Sequence, residues 1–175
     1  MDDLARGLAA GEHEAFARLY DALADRLHHY AAILLGSRQD ADDVLQETFI
    51  RLARHRRKLA DVENLTAYVF QVARNEAMRL ARRNARHRSH EAGLSVEELF
   101  VPAVESSASG RAEELLARGL ARLNDKHREV IELKTFGRLT FAQIAEVLEI
   151  PPGTAASRYQ AAVQRLRFLL RREMP

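Results

Sequence analysis

The chain has 175 residues, 27 Lys and Arg against 25 Asp and Glu, 47% apolar residues and no Cys. That length holds one domain or two small ones with enough apolar content for a core. The missing thiols exclude a disulfide framework, a zinc ribbon, a thiolate nucleophile and a CxxC redox switch. The start, Met1-Asp2-Asp3, lacks the basic and apolar regions of a secretory signal. The longest strongly apolar run, Ala31 to Leu35, is far short of the roughly 20 residues that cross a bilayer. A cytoplasmic location without membrane insertion is therefore expected. Gly and Pro are sparse and Ala, Leu, Arg and Glu abundant, so helix should dominate.

In chain order, Phe16, Leu19, Tyr20, Leu23, Leu27, Tyr30 and Leu34 recur at spacings of three and four and predict a first helix ended by Gly36-Ser37. A second helix is expected from about Ala41 to His55, capped by Asp40, with Val44, Leu45, Thr48, Phe49 and Leu52 as its buried stripe. Lys58 to Asn64 is polar and reads as a loop. The next helix should run from Leu65 to about Arg86, with Val69, Val72, Ala73, Ala77 and Leu80 facing inward. Glu91 to Gly110 holds Gly93, Pro102, Gly110 and Ser106-Ser107-Ala108-Ser109 and reads as a linker, with one short turn at Val96 to Phe100. Beyond it, Leu115, Leu116, Leu120 and Leu123 mark one helix. Val130, Ile131, Leu133 and Phe136 mark the next, started by Asn124-Asp125 and stopped by Gly137. Phe141 to Leu148 follows with Thr140 as N-cap. A last helix after Pro151-Pro152-Gly153 carries Ala155, Tyr159, Ala162, Val163, Leu166 and Leu169. No segment alternates as a strand would. The expected fold is all-α, two small helical bundles joined by a flexible acidic linker, the second containing a helix-turn-helix.

Charge follows the same division. Residues 1–90 are net +2, 91–110 net −4 through Glu91, Glu97, Glu98 and Glu105, and 111–175 net +4. Two mildly basic blocks flanking an acidic segment are compatible with nucleic acid. The linker predicts two units that move relative to one another and a chain cut first between Glu91 and Gly110 by proteases.

Three segments carry candidate chemistry. Leu139 to Tyr159 pairs a short amphipathic helix, a tight turn at Gly153 and a second helix opening with Thr154. Such a pair places its second helix in a DNA major groove, or is an ordinary αα-corner. Asp40-Ala-Asp-Asp-Val-Leu-Gln-Glu47 sets four carboxylates in eight residues, with Asp43 and Glu47 at i,i+4. These suit a basic protein surface or a cation, or simply complement a helix N-terminus; a calcium loop is disfavoured by spacing and by the missing turn glycine. Arg74, Arg79, Arg82, Arg83, Arg86 and Arg88, with Glu76 the sole acid between them, form a helical basic face able to lie along phosphates. Tyr68 and Phe70 beside it suit stacking on single-stranded bases, or belong to the core. Nothing predicts catalysis, a metal or a cofactor. The seven His lack metal-ligand spacing, no Ser stands in a nucleophile elbow, and there is no Gly-rich phosphate loop.

In this order and at this length, the segments resemble the extracytoplasmic-function (ECF) sigma factors of bacterial RNA polymerase over nearly the whole chain. Asp40-Ala-Asp-Asp-Val-Leu-Gln-Glu-Thr-Phe-Ile-Arg-Leu52 resembles the helix that docks on the polymerase β′ clamp. Ala67-Tyr-Val-Phe-Gln-Val-Ala-Arg-Asn75 resembles the promoter-melting segment. Leu123 to Arg167, with Arg128-Glu-Val-Ile131 and Pro152-Gly-Thr154, resembles the C-terminal helix-turn-helix domain. The resemblance implies a non-enzymatic subunit that binds core polymerase and directs promoter-specific initiation. In that reading residues 10–90 bind the core and open the −10 element, 91–110 form a linker through the RNA exit path, and 111–172 read the −35 element. It assigns Asp40, Asp43, Gln46 and Glu47 to the clamp, and Asn64, Tyr68, Arg74, Asn75, Arg82 and Arg83 to −10 DNA. Thr154, Ala156, Ser157, Arg158 and Gln160 fall on the −35 positions. The implied partners are core RNA polymerase (β′ clamp and β flap), promoter DNA and an anti-sigma factor. Ala156, Ala161 and Val163 stand where the family is often basic, which predicts weaker upstream binding. The residues taken without the resemblance leave open a stand-alone helix-turn-helix regulator and a helical adaptor that binds only protein.

Overall fold

The computed structural model describes residues 2–92 and 111–173. The linker between them, with the turn expected at 96–100, lies outside the described residues apart from its first two positions. The first bundle comprises α1 (Asp2–Ala10), α2 (His13–Leu35), α3 (Arg38–Arg54), a 3-10 turn (Arg56–Asp61) and α4 (Leu65–Ala92). The second comprises α5 (Arg111–Ala121), α6 (Asp125–Thr135), α7 (Phe141–Leu148) and α8 (Pro152–Glu173). Every element among the described residues is helical, and none is long and apolar enough to cross a membrane.

In the first bundle α2, α3 and α4 pack side by side. Leu19, Leu23, Leu27, Tyr30 and Leu34 from α2 meet Ala41, Val44 and Leu52 from α3 and Val69, Phe70, Val72, Ala73, Ala77 and Leu80 from α4. Each fully buried large apolar side chain contributes about 1.5–3 kcal/mol. Gly36, at φ 65°, ends α2 in the left-handed conformation that lets its N–H reach the Ala32 carbonyl. Ser37, not Asp40, caps α3: its hydroxyl accepts from the Asp40 N–H. The expected loop over 58–64 is in part a 3-10 turn anchored by fully buried Leu59, and α1 packs against it through Leu8. Phe70 is core, fully buried beside Tyr30 at 5.7 Å between ring centroids, which withdraws it as a base-stacking ring.

The second bundle is closed by Val130, Leu133, Leu139, Ile144, Val147, Ala155, Ala162 and Leu169. Thr140 and Gln143 form a reciprocal capping box that starts α7. The α7–α8 turn differs from expectation. The residue with positive φ is Glu149, at 54°, whereas Gly153 lies inside the first turn of α8 with open space where a Cβ would be. Gly119 lets α5 approach α8, since a Cβ there would sit 2.8 Å from Leu166 Cδ1. Arg128 is buried and donates to the carbonyls of Leu120, Ala121 and Leu123 at 3.1, 3.2 and 2.8 Å, satisfying groups that the end of α5 leaves orphaned.

The two bundles touch. α6 and α7 sit against α2 and α4, joined chiefly by polar side chains. A linker composition that predicted independent units holds no information about these contacts, which join side chains far apart in the sequence.

Candidate functional site

The acidic segment lies on α3. Burial of Ala41, Val44, Thr48 and Leu52 turns the other faces of the helix outward, so Asp43 and Gln46 are exposed and Asp40 and Glu47 half-buried. Asp40 accepts from Asn84 Nδ2 at 3.3 Å, and Asp42 pairs with His28 at 3.1 Å. Asp43, Gln46 and Glu47 line a groove of about 260 Å³ between α3 and α4, together with Glu76, Arg79 and Arg83. Glu76 is its buried anchor. It accepts from Arg51 of α3 and from Arg79, whose Nη2 is 2.7 Å from Oε2. Arg79 also stands 3.9 Å from Glu47. The groove thus has an acidic rim on α3 and a basic wall on α4.

The basic set of α4 does not form one phosphate-facing stripe. Arg79 is tied to Glu76, Arg83 lines the acidic groove, and Arg82 and Asn75 are exposed. Arg74 turns the other way, toward α6. Its Nε donates to Glu129 Oε1 at 2.7 Å, and the buried Tyr30 hydroxyl donates to the same oxygen at 2.8 Å. Burial works against the Arg74 charge, but the hydrogen bond to Glu129 and that carboxylate's field hold its pKa above the usual value. Burial, reinforced by Glu129, pushes the Tyr30 hydroxyl well above the ordinary tyrosine value. Asn64 caps α4, its Oδ1 accepting from Ala67 N at 3.2 Å, and the same oxygen accepts from Gln143 Nε2 of α7 at 3.1 Å. Tyr68 is half-buried against the core.

On α8, Ser157 and Gln160 are exposed, and Thr154, Ala156 and Arg158 half-buried. Ser157 donates to the Thr154 carbonyl at 3.2 Å. Ser157, Gln160, Ala161 and Gln164 are exposed at spacings of three and four, so this outward face carries no charge. Exposed cations enter further along, where Arg165 and Arg172 flank the Phe168 ring at 5.4 and 5.7 Å. The acidic and basic sets meet at the groove between α3 and α4, and α6 and α7 cover part of the basic set at Arg74 and Asn64. Sequence reasoning did not find Glu129, Tyr30, Gln143 or the capping role of Arg128. The acids of α6 carry no local signal of burial, and their distant partners alone mark them.

Among the described residues no group of three or more His, Asp or Glu is arranged to hold a metal ion.

Comparison with known families adds what geometry alone does not. Residues 19–87 match the family model described as Sigma-70 region 2, and residues 113–166 match Sigma-70, region 4. The chain is 36% identical over 168 residues to the ECF RNA polymerase sigma factor SigL of Mycobacterium tuberculosis, covering 94% of this chain and 93% of that one. It is 26% identical to the ECF sigma factor SigW of Bacillus subtilis, over 92% and 91%. Among solved structures, the fold is similar to the sigma factor RpoE of Bartonella quintana, in a complex with the anti-sigma factor NepR. There the TM-score is 0.71 at 24% identity, over 89% of this chain and 96% of that one. CnrH, in complex with the cytosolic domain of CnrY, is similar with TM-score 0.66 at 24% identity, over 97% and 96%. Sigma factors are non-enzymatic transcription initiation factors. A region 2 and a region 4 in this order, with a relative of that name along nearly the full length, place the chain in the ECF subfamily: it belongs to the RNA polymerase sigma factors that direct transcription from promoters.

Proposed function

We propose that the chain works in the cytoplasm and divides its task between its two bundles without catalysing a reaction itself. Residues 10–90 bind core polymerase and open the −10 element, 91–110 pass through the RNA exit path, and 111–172 read the −35 element and meet the β flap. On the N-terminal bundle, Asp40, Asp43, Gln46 and Glu47 face the β′ clamp, while Asn64, Tyr68, Arg74, Asn75, Arg82 and Arg83 serve the −10 DNA. On the C-terminal bundle, Thr154, Ala156, Ser157, Arg158 and Gln160 meet the −35 DNA. An anti-sigma factor is a further partner in this reading, supported by the complex in which the similar RpoE was solved.

The observation that carries the docking half is the groove between α3 and α4. Asp43 and Gln46 stand exposed on its rim while Val44, Thr48 and Leu52 hold the helix down. Exposed carboxylates set association rate and salt sensitivity with a basic partner, and they need no rearrangement of the core to reach it. The test is a pull-down of core polymerase with Asp43→Lys and Glu47→Lys combined. Loss of binding with unchanged helicity supports the assignment, and retained affinity refutes it.

A further inference from the structure

α3 is acidic at its start and basic at its end. Arg54-His-Arg-Arg-Lys58 sets four permanent cations in five positions, and Arg54, Arg56, Arg57 and Lys58 are all exposed. No carboxylate among the described residues pairs with any of the four. Cations in the last turn of a helix complement its dipole, which accounts for Arg54. Arg56, Arg57 and Lys58 lie past that turn, in the 3-10 segment. The acids at the other end do not neutralise them, since Asp43 and Arg54 stand about 16 Å apart along the helix, beyond the roughly 8 Å Debye length at physiological salt. The corner is also fixed from behind. Leu8 of α1 and Leu59 of the 3-10 turn are fully buried where the two elements pack. α1 ends at Gly11, φ 84°, with the Gly11 N–H donating to the Leu8 carbonyl at 3.0 Å and the Glu12 N–H to the Gly7 carbonyl at 2.9 Å. A Cβ at Gly11 would lie 2.8 Å from Arg56 Nε, so only glycine lets the end of α1 pass this close to that side chain.

We propose that Arg54, Arg57 and Lys58 form a phosphate-binding site for single-stranded DNA beside Asn64, and that α1 is the brace that holds this site in place. Four like charges on one short corner repel one another in the free chain, and phosphates relieve that repulsion through the donors that guanidinium and ammonium groups offer. Lys58 and Asn64 are joined by at most about 20 Å of chain, a stretch that a few nucleotides span. A strand anchored at Asn64 therefore has these cations beside it. The acids at the start of α3 repel the same backbone, so the helix keeps its protein-docking end and its strand end apart. α1 acts only through Leu59: Leu8 and Gly11 are positioning residues. The placement on the −10 strand rests on the proposed role of Asn64.

The test uses holoenzyme assembled from core polymerase and the full chain. Its DNA is a fragment around a mapped start site, pre-opened by mismatches, and a shorter duplex that ends upstream of the opened region. Arg57→Gln with Lys58→Gln removes two exposed charges that hold no partner within the protein, so the fold should be unaffected. On the pre-opened fragment the dependence of log K on log salt should become shallower by about 1.4, at roughly 0.7 for each single-strand phosphate released. Affinity for core polymerase and for the upstream duplex should not change. Leu8→Ala should reproduce part of the lost slope, and Leu8→Met, which conserves volume, should restore it. A brace that served stability alone would lower the melting temperature in Leu8→Ala and leave the slope as it was. An unchanged slope in the double variant overturns the proposal. So does a fall in core affinity in its place, or an equal loss on the upstream duplex. Asn64→Ala, read by base preference within the −10 element, decides that residue's role separately: with preference unchanged, the −10 reading fails whatever the slope shows.

Discussion

The two helices offered to DNA, α4 and α8, hold their charge in opposite ways. α4 has many cations and ties two of them to buried carboxylates, Arg74 to Glu129 and Arg79 to Glu76, while Arg83 lines the acidic groove. α8 leaves its early outward face open at Ser157, Gln160, Ala161 and Gln164, and that face is neutral. A count of arginines would rank α4 as a ready phosphate binder and α8 as a poor one. The geometry instead separates a cation-rich helix whose Arg74 and Arg79 already hold carboxylate partners from a helix whose early outward face is neutral.

The comparison breaks first at the groove. If α4 and α3 together form a docking surface, Asp43→Lys with Glu47→Lys should abolish core binding and leave the melting temperature nearly unchanged, checked by core pull-down and circular dichroism. The second effect concerns the cations of α4 that serve structure. Glu76 is buried, and Arg51 and Arg79 are its partners. Removing both as Arg51→Ala with Arg79→Ala strands a carboxylate and should lower stability by about 3 kcal/mol, read from the urea midpoint. Third, within the holoenzyme Arg82→Ala should weaken promoter binding by about 1 kcal/mol and reduce the salt slope by about one unit, more than Arg158→Ala does. Equal losses would erase the distinction between the helices. Fourth, Ala156→Lys adds charge to the neutral helix and should tighten upstream binding by up to about 1 kcal/mol at low salt. No gain would mean that α8 does not approach DNA in the family's orientation.

The smallest effect is in pH. The Tyr30 hydroxyl is raised by burial and then by Glu129, so the contact it makes is fully present below the unfolded tyrosine value of about 10 and fades as pH rises beyond it. In an absorbance titration of tyrosinate, one of the four tyrosines should ionise late and together with separation of the bundles. In Glu129→Ala that late step should move to lower pH.

Much of the architecture was legible because local and global signals agreed. Thr140 marked the start of α7, and Asn124 marked α6; both are the observed caps. The five inward positions expected on α4 are all buried. What escaped was short or non-local. α1 has nine residues and few large apolar anchors, so its period is faint. The 3-10 turn rests on Leu59 alone. The α7–α8 turn places an ordinary residue, Glu149, at positive φ, where sequence habit looks for the glycine. The inter-bundle contact was illegible for a different reason. Arg74 and Glu129 are 55 positions apart, and each alone reads as a solvated charge; their meeting accounts for the burial of Glu129 amid the apolar core positions Val130, Ile131 and Leu133.

The measurement that bears most directly on the central assignment is initiation itself. Core polymerase should be combined with the purified chain on a library of genomic fragments, and transcript 5′ ends mapped with and without it. The account predicts starts concentrated at a small set of sites that share an upstream sequence and that vanish with Asp43→Lys and Glu47→Lys. A start distribution identical to that of core polymerase alone, with the chain shown to be folded, would contradict it.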